Sequence, residues 1–138
     1  MALRLVTRLT PEQVGDLMRL FEDTYWASER SRDDVERMLS SSSFLFGVVD
    51  SGTDRLLAFA RVLTDGVFRA VIFDVVVDPG RRGEGLARML FDAIISHPIL
   101  GEVEYLVLYC KEDVVGLYER FGFTEDCQGM RLMLRKRT

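Results

Sequence analysis

The chain has 138 residues, 48% of them hydrophobic and 29% charged, with 18 basic against 22 acidic side chains and a net charge of -4. Such proportions exclude disorder and a collagen-like fibre and predict one globular domain, residues 1–138, with a core that needs no staples. The acidic balance argues against a nucleic-acid partner, the lack of any apolar run near ~18 residues argues against a membrane span, and one histidine with two cysteines cannot complete a structural zinc set. No metal is expected, and the expected setting is cytoplasmic, with Cys110 and Cys127 as reduced thiols.

Leu3 to Thr7 alternates and predicts a first edge strand. Thr10-Pro11-Glu12-Gln13 predicts a helix start. Thr10 caps it, Pro11 loses no bond at the first helical position, and Gln13 closes a capping box. Val14, Leu17, Met18 and Phe21 then share one helical face. Ser31, Asp33 and Asp34 open a second helix with Val35, Met38 and Leu39 as its stripe. After the serine run at 40–43 come three strands: Phe44 to Asp50, Arg55 to Leu63 and Val67 to Val77. The third is almost wholly apolar after Ala70, the pattern of a strand buried on both faces. A helix from about Arg82 keeps Leu86, Met89, Leu90, Ala93 and Ile94 in period until Pro98 stops it. Val103 to Cys110 is a strand, Asp113 to Gly122 a short helix, and Thr124 to Lys136 a hairpin around Gln128-Gly129. The order β-α-α-β-β-β-α-β-α-β-β predicts an α/β (α+β) fold: a mixed sheet with one parallel crossover, through the Arg82 helix.

The most informative stretch runs from Val75 to Ala87. A buried strand ends at Asp78-Pro79-Gly80, a basic glycine-rich turn follows, and a helix begins at once. The first turn of a helix presents N–H groups without partners and the positive end of its dipole. Gly83 and Gly85 let an anion reach the backbone with no Cβ in the way, and Arg81 and Arg82 add positive charge. The pattern suits a diphosphate. It is no P-loop, because Gly-Lys-Ser/Thr is missing, and no dinucleotide fingerprint, because Arg88 stands where the third glycine belongs.

Arg82-Gly83-Glu84-Gly85-Leu86-Ala87 matches the Gln/Arg-x-x-Gly-x-Gly/Ala signature of the GNAT N-acetyltransferases. Gly116-Leu117-Tyr118-Glu119-Arg120-Phe121-Gly122-Phe123 resembles that family's C-terminal signature, a tyrosine followed by a Gly-Phe pair. The two lie in the family's order, and the likeness extends over almost the whole chain. It implies a sheet whose central strands splay apart to admit acetyl-CoA. The backbone of Val75, Val76 and Val77 would pair with the pantetheine arm, and the amides from Arg82 through Gly83, Glu84, Gly85 and Leu86 to Ala87 would hold the pyrophosphate. A backbone N–H near Val75 would polarise the acetyl carbonyl, and Tyr118 matches the tyrosine that protonates the departing thiolate.

The sequence departs from the family at two points. Val71 stands where several relatives carry a glutamate or histidine base, and Lys111 where many carry a cofactor-binding asparagine. Asp74 is then the only carboxylate inside the central strand from Ala70 to Val77, a candidate base or amine-binding anion, or else a structural hydrogen-bond acceptor at a strand bulge. Tyr25 and Trp26 lie in the region that lines the acceptor pocket of relatives, and Arg30, Arg61 and Asp65 are further candidates. Cys110 reads as a buried hydrophobe and His97 as a helix-end cap. The expected activity is direct transfer from acetyl-CoA to a primary amine, by a monomer or a homodimer. The alternative is a non-catalytic acyl-CoA-binding regulatory module.

Overall fold

The structure is a computed structural model that describes residues 2–137. Its contacts divide the chain into two compact units, one ending at Val107 and one beginning at Leu108. The first holds strands β1 (Leu3–Val6), β2 (Phe44–Asp50), β3 (Leu56–Thr64), β4 (Arg69–Val77) and β5 (Tyr105–Val107), and helices α1 (Pro11–Glu22), α2 (Arg32–Ser41) and α3 (Leu86–Ser96). The second holds α4 (Val115–Glu119), entered through a 3-10 turn at Glu112–Val114.

The sheet runs in sequence order from β1 to β5. The first four strands are antiparallel neighbours and β4 pairs with β5 in parallel, so α3 is the one crossover. Val14, Leu17 and Phe21 of α1 and Val35 of α2 close a core with Val49, Phe59 and Val76. By strand alternation Val48, Ala58, Ala60 and Val62 turn to the opposite face, where they are equally buried, and α3 packs on β2 and β3.

The sequence predicts the start of α1 correctly. The Thr10 hydroxyl accepts the Gln13 backbone N–H at 3.1 Å, and the Gln13 side-chain Oε1 accepts the Thr10 N–H at 3.0 Å. The buried Asp16 carboxylate also accepts the Leu56 N–H at 3.0 Å, which ties α1 to the first residue of β3.

Among the departures from the sequence reading four stand out, and α4 is also shorter than the expected Asp113–Gly122 helix. First, β4 begins at Arg69, because one Asp65 oxygen accepts the N–H groups of Val67, Phe68 and Arg69 at 2.8, 2.8 and 3.3 Å and holds them in a turn. Second, α3 begins at Leu86 rather than Arg82, since Gly83 and Gly85 have φ of +83° and +80°, outside right-handed helix. Third, β5 is confined to three residues. Fourth, no strand forms between 124 and 137. The expected hairpin turn is present, with Gln128 and Gly129 both at positive φ and the Met130 N–H on the Cys127 carbonyl at 3.1 Å. Its arms are unpaired, with Leu132, Met133 and Leu134 exposed, as expected of a two-stranded hairpin with no third strand.

Candidate active site

The last β5 partner of β4 is Val71, opposite Val107. From Ile72 to Val77, β4 is paired on its β3 side alone among the described residues. This is the splay that the sequence implied, and it leaves the backbone of Val75, Val76 and Val77 along an edge that β5 does not cover. The Val76 side chain is buried in the core, which fixes the strand while its edge stays available.

That edge is bent. Phe59 faces Val76 and Arg61 faces Phe73, so Asp74 and Val75 together stand opposite Ala60. The extra residue is a β-bulge, and Asp74 takes the left-handed conformation that it requires, φ +60°. A bulge re-aims neighbouring backbone groups, here at the position where the family resemblance places the carbonyl-polarising N–H.

Beyond Val77 the chain turns through Pro79–Arg81 into α3. The Asp78 carboxylate accepts the Gly80 N–H at 2.9 Å and shapes the turn. Gly85 is the N-cap of α3 and has no side chain to cap with, so the first-turn N–H groups are left without one. A Cβ built on Gly83 or Gly85 meets nothing within 4 Å. The turn is therefore an open, positively polarised cradle on which a diphosphate fits. Arg82 is exposed beside it. Arg81 is already engaged by carboxylates. It donates to Glu84 at 2.9 and 3.0 Å and lies 3.9 Å from Asp50, and the Glu84 contact raises its pKa further. Arg81 and Glu84 thus brace the turn through their side chains, and the backbone is what they leave to a ligand.

Asp74, the only carboxylate of β4, is paired through both oxygens. Arg30 donates Nη1 to one oxygen at 2.9 Å and Nη2 to the other at 3.3 Å, and Arg61 donates Nε at 2.6 Å. Three of the roughly four lone-pair directions of the carboxylate are engaged. The Asp74 side chain is 5% exposed, that of Arg61 15% and that of Arg30 30%. Aromatic rings complete the cluster. The Arg30 guanidinium lies 5.2 Å from the Phe21 ring and 5.5 Å from the Trp26 ring, and Arg61 lies 4.8 Å from Phe73. Trp26 therefore joins this cluster, whereas the neighbouring Tyr25 is 72% exposed.

The sequence showed Arg61 and Asp74 as opposite charges within apolar strands, a signal for pairing. It did not show that Arg30, 44 residues from Asp74, closes the set. Asp65 sits in the β3–β4 turn, roughly 26 Å of extended strand from Val77, and serves that turn. Val71 lies on β4 as expected and offers no base.

In the second unit, Tyr118 lies on α4 and is half-buried. Gly122, at φ +93°, ends the helix, and the chain returns so that the Phe123 ring meets the Tyr118 ring edge-on at 6.4 Å. Burial, and then the neighbouring Cys110, push the Tyr118 phenol above its ordinary value of 10. Cys110 is exposed, contrary to expectation, and partial desolvation, then Glu125 and Asp113, raise its thiol pKa. His97 is the C-cap residue of α3 through its backbone, whose N–H donates to the Ile94 carbonyl at 3.3 Å, but its ring serves the next turn, with Nδ1 accepting the Ile99 N–H at 3.1 Å and the ring packing on Phe44.

Among the described residues no helix is long and apolar enough to cross a membrane. Surface hollows of about 350 Å³ beside Asp16 and Arg55, and of about 820 Å³ beside Phe44 and His97, share no lining residue with the glycine turn or the Asp74 cluster.

The sequence model of the acetyltransferase (GNAT) family matches residues 12–123. An uncharacterised N-acetyltransferase, ycf52, of Porphyra purpurea is 31% identical over 86% of this chain and 68% of its own length. Serotonin N-acetyltransferase 2, chloroplastic, of Oryza sativa subsp. japonica is 36% identical over 75% of this chain and 53% of its own length. A crystal structure from Xanthomonas campestris pv. campestris, described as a GNAT-family acetyltransferase, superposes with a TM-score of 0.86 at 33% identity, over 99% of this chain and 94% of that one. With the splayed β4 edge and the open glycine turn, these likenesses make the chain a member of the GNAT acetyltransferase family.

Proposed function

We propose that the protein transfers the acetyl group of acetyl-CoA directly to a primary amine. The observation that carries this reading is the uncovered β4 edge leading straight into an uncapped, glycine-lined helix start. When bound, acetyl-CoA supplies an activated acetyl thioester. The backbone from Arg82 to Ala87 holds its diphosphate, with the exposed Arg82 adding charge. The edge of Val75, Val76 and Val77 offers strand-like hydrogen bonds to the pantetheine amides. An N–H at the Asp74–Val75 bulge orients and polarises the acetyl oxygen. By its likeness to the family's C-terminal tyrosine, Tyr118 is the candidate proton donor to the departing sulfur, with a phenol that burial keeps protonated well above neutral pH.

Asp74 is assigned a positioning role rather than that of base, because two guanidiniums already claim its carboxylate. With Val71 on the same strand, β4 then supplies no side-chain base: the amine arrives neutral or loses a proton to water first, and the proton that its nitrogen sheds on becoming an amide leaves through water and restores the phenol of the proton donor.

The test is release of the CoA thiol from acetyl-CoA across a panel of small amines and amine-bearing peptides. Acceptor-dependent release is expected. Tight acetyl-CoA binding with no release for any acceptor would favour the non-catalytic acyl-CoA-binding module.

A further inference from the structure

Two guanidiniums and one carboxylate give the Arg30–Asp74–Arg61 cluster a net charge of +1. Asp74 holds Arg61 by Nε alone. The two terminal nitrogens of Arg61 form no hydrogen bond among the described residues, although the side chain is only 15% exposed. A nearly buried guanidinium with unanswered donors is costly unless something accepts from it. Neither nitrogen is sealed from solvent, since no fully buried side-chain nitrogen or oxygen lacks a partner among the described residues. The donors are thus held in place, desolvated and reachable.

The position is equally telling. Arg61 pairs across the strands with Leu45 and Phe73, on the face that packs under α1 and α2. Asp74 is the bulge residue immediately before Val75. The aromatic face of Trp26, otherwise suited to an ammonium group, is already taken by Arg30 at 5.5 Å. A second cation would meet an occupied ring and a positive cluster. An anion would meet paired N–H donors in a fork suited to carboxylate or phosphate oxygens.

We infer that this cluster binds an anionic group, carboxylate or phosphate, carried by the acceptor amine, with Arg61 as the residue that selects for it. The inference rests on the acetyltransferase reading and narrows its acceptor to amines that also bear an acid. Arg30 and Asp74 position Arg61 and set the depth of the site.

The experiment compares matched acceptors: propylamine with β-alanine, longer alkylamines with the corresponding ω-amino acids, and ethylamine with 2-aminoethyl phosphate. For at least one pair the acidic member should show a kcat/KM roughly 10- to 100-fold higher, the range of one charge-assisted hydrogen-bonded pair. In Arg61→Gln that ratio should fall to within about 3-fold, and Arg61→Lys should retain part of it. Each variant is first shown to be folded by a cooperative thermal transition. Ratios near one throughout the native series would overturn the inference, as would a ratio that survives in folded Arg61→Gln. If no amine is acetylated, the enzymatic reading fails by itself. The inference is then decided by titrating 15N-arginine-labelled protein with propanoate and with inorganic phosphate. A saturable shift of the Arg61 Nε–H signal, assigned by its loss in Arg61→Lys, supports it, and no shift with either anion overturns it.

Discussion

Asp74 combines a backbone conformation that aspartate seldom adopts with three donors on one carboxylate. Asparagine tolerates the same conformation and has nearly the same shape, so Asp74→Asn isolates the charge. Two guanidiniums would lose their counter-ion in a site where Asp74 and Arg61 are largely buried. Breaking a buried pair typically costs about 3–5 kcal/mol, and the partial exposure of Arg30 lowers the expectation here to about 2–3 kcal/mol, read from urea unfolding. Tyr118→Phe tests a separate residue. Burial keeps its phenol protonated, so removing Oη should lower kcat by about 100-fold or more and leave acetyl-CoA binding unchanged, as measured by steady-state kinetics and calorimetry. Folding favours the protonated phenol, so native stability should also begin to decline once the pH passes about 10, and less steeply in Tyr118→Phe.

The turn between β4 and α3 is where local sequence was most informative and still misleading. The glycines announced an anion cradle, and helical periodicity placed the helix start at Arg82. The two left-handed glycines instead delay α3 to Leu86 and so open the cradle. Gly85→Ala should cost about 1–2 kcal/mol from the left-handed backbone alone, because its Cβ would meet no protein atom. It should also raise the KM for acetyl-CoA, since that Cβ would project from the anion-binding backbone. The β3–β4 turn gives a pH test. Backbone hydrogen bonds, from Val67 first and Phe68 next, hold the Asp65 carboxyl below its ordinary 3.8. A depressed folded pKa contributes stability that is present above the unfolded value and lost as pH falls through the folded one. Asp65→Asn should therefore be less stable at pH 7 and lose less stability on acidification below about pH 4, followed by circular dichroism. Capping boxes, acidic first turns and glycine turns are local, and they were legible. A carboxylate inside an apolar strand hinted at the bulge at Asp74, but the cluster joins residues 13 and 44 positions apart, which no local pattern announced.

The chain as a whole shows the same division between local and distant causes. The Gln128-Gly129 turn forms from its own backbone preference, yet its alternating apolar arms do not become strands, because a strand needs a neighbour that sequence alone does not supply. The proposed cofactor site likewise depends on an unpaired strand edge and a helix start, both formed only when the sheet is assembled. Acetyl-CoA should therefore bind the native state and not the unfolded chain, and so act on global stability. At a free concentration of about 100 times its Kd it should add about 2.7 kcal/mol. For a domain of this size that corresponds to a rise of about 10 °C in melting temperature. NAD and ATP, which share the diphosphate but not the pantetheine arm, should produce a much smaller shift at equal concentration. Equal shifts from all three would mean that the glycine turn binds phosphate without help from the β4 edge, and would remove the structural basis for placing the acetyl group beside the Asp74–Val75 bulge.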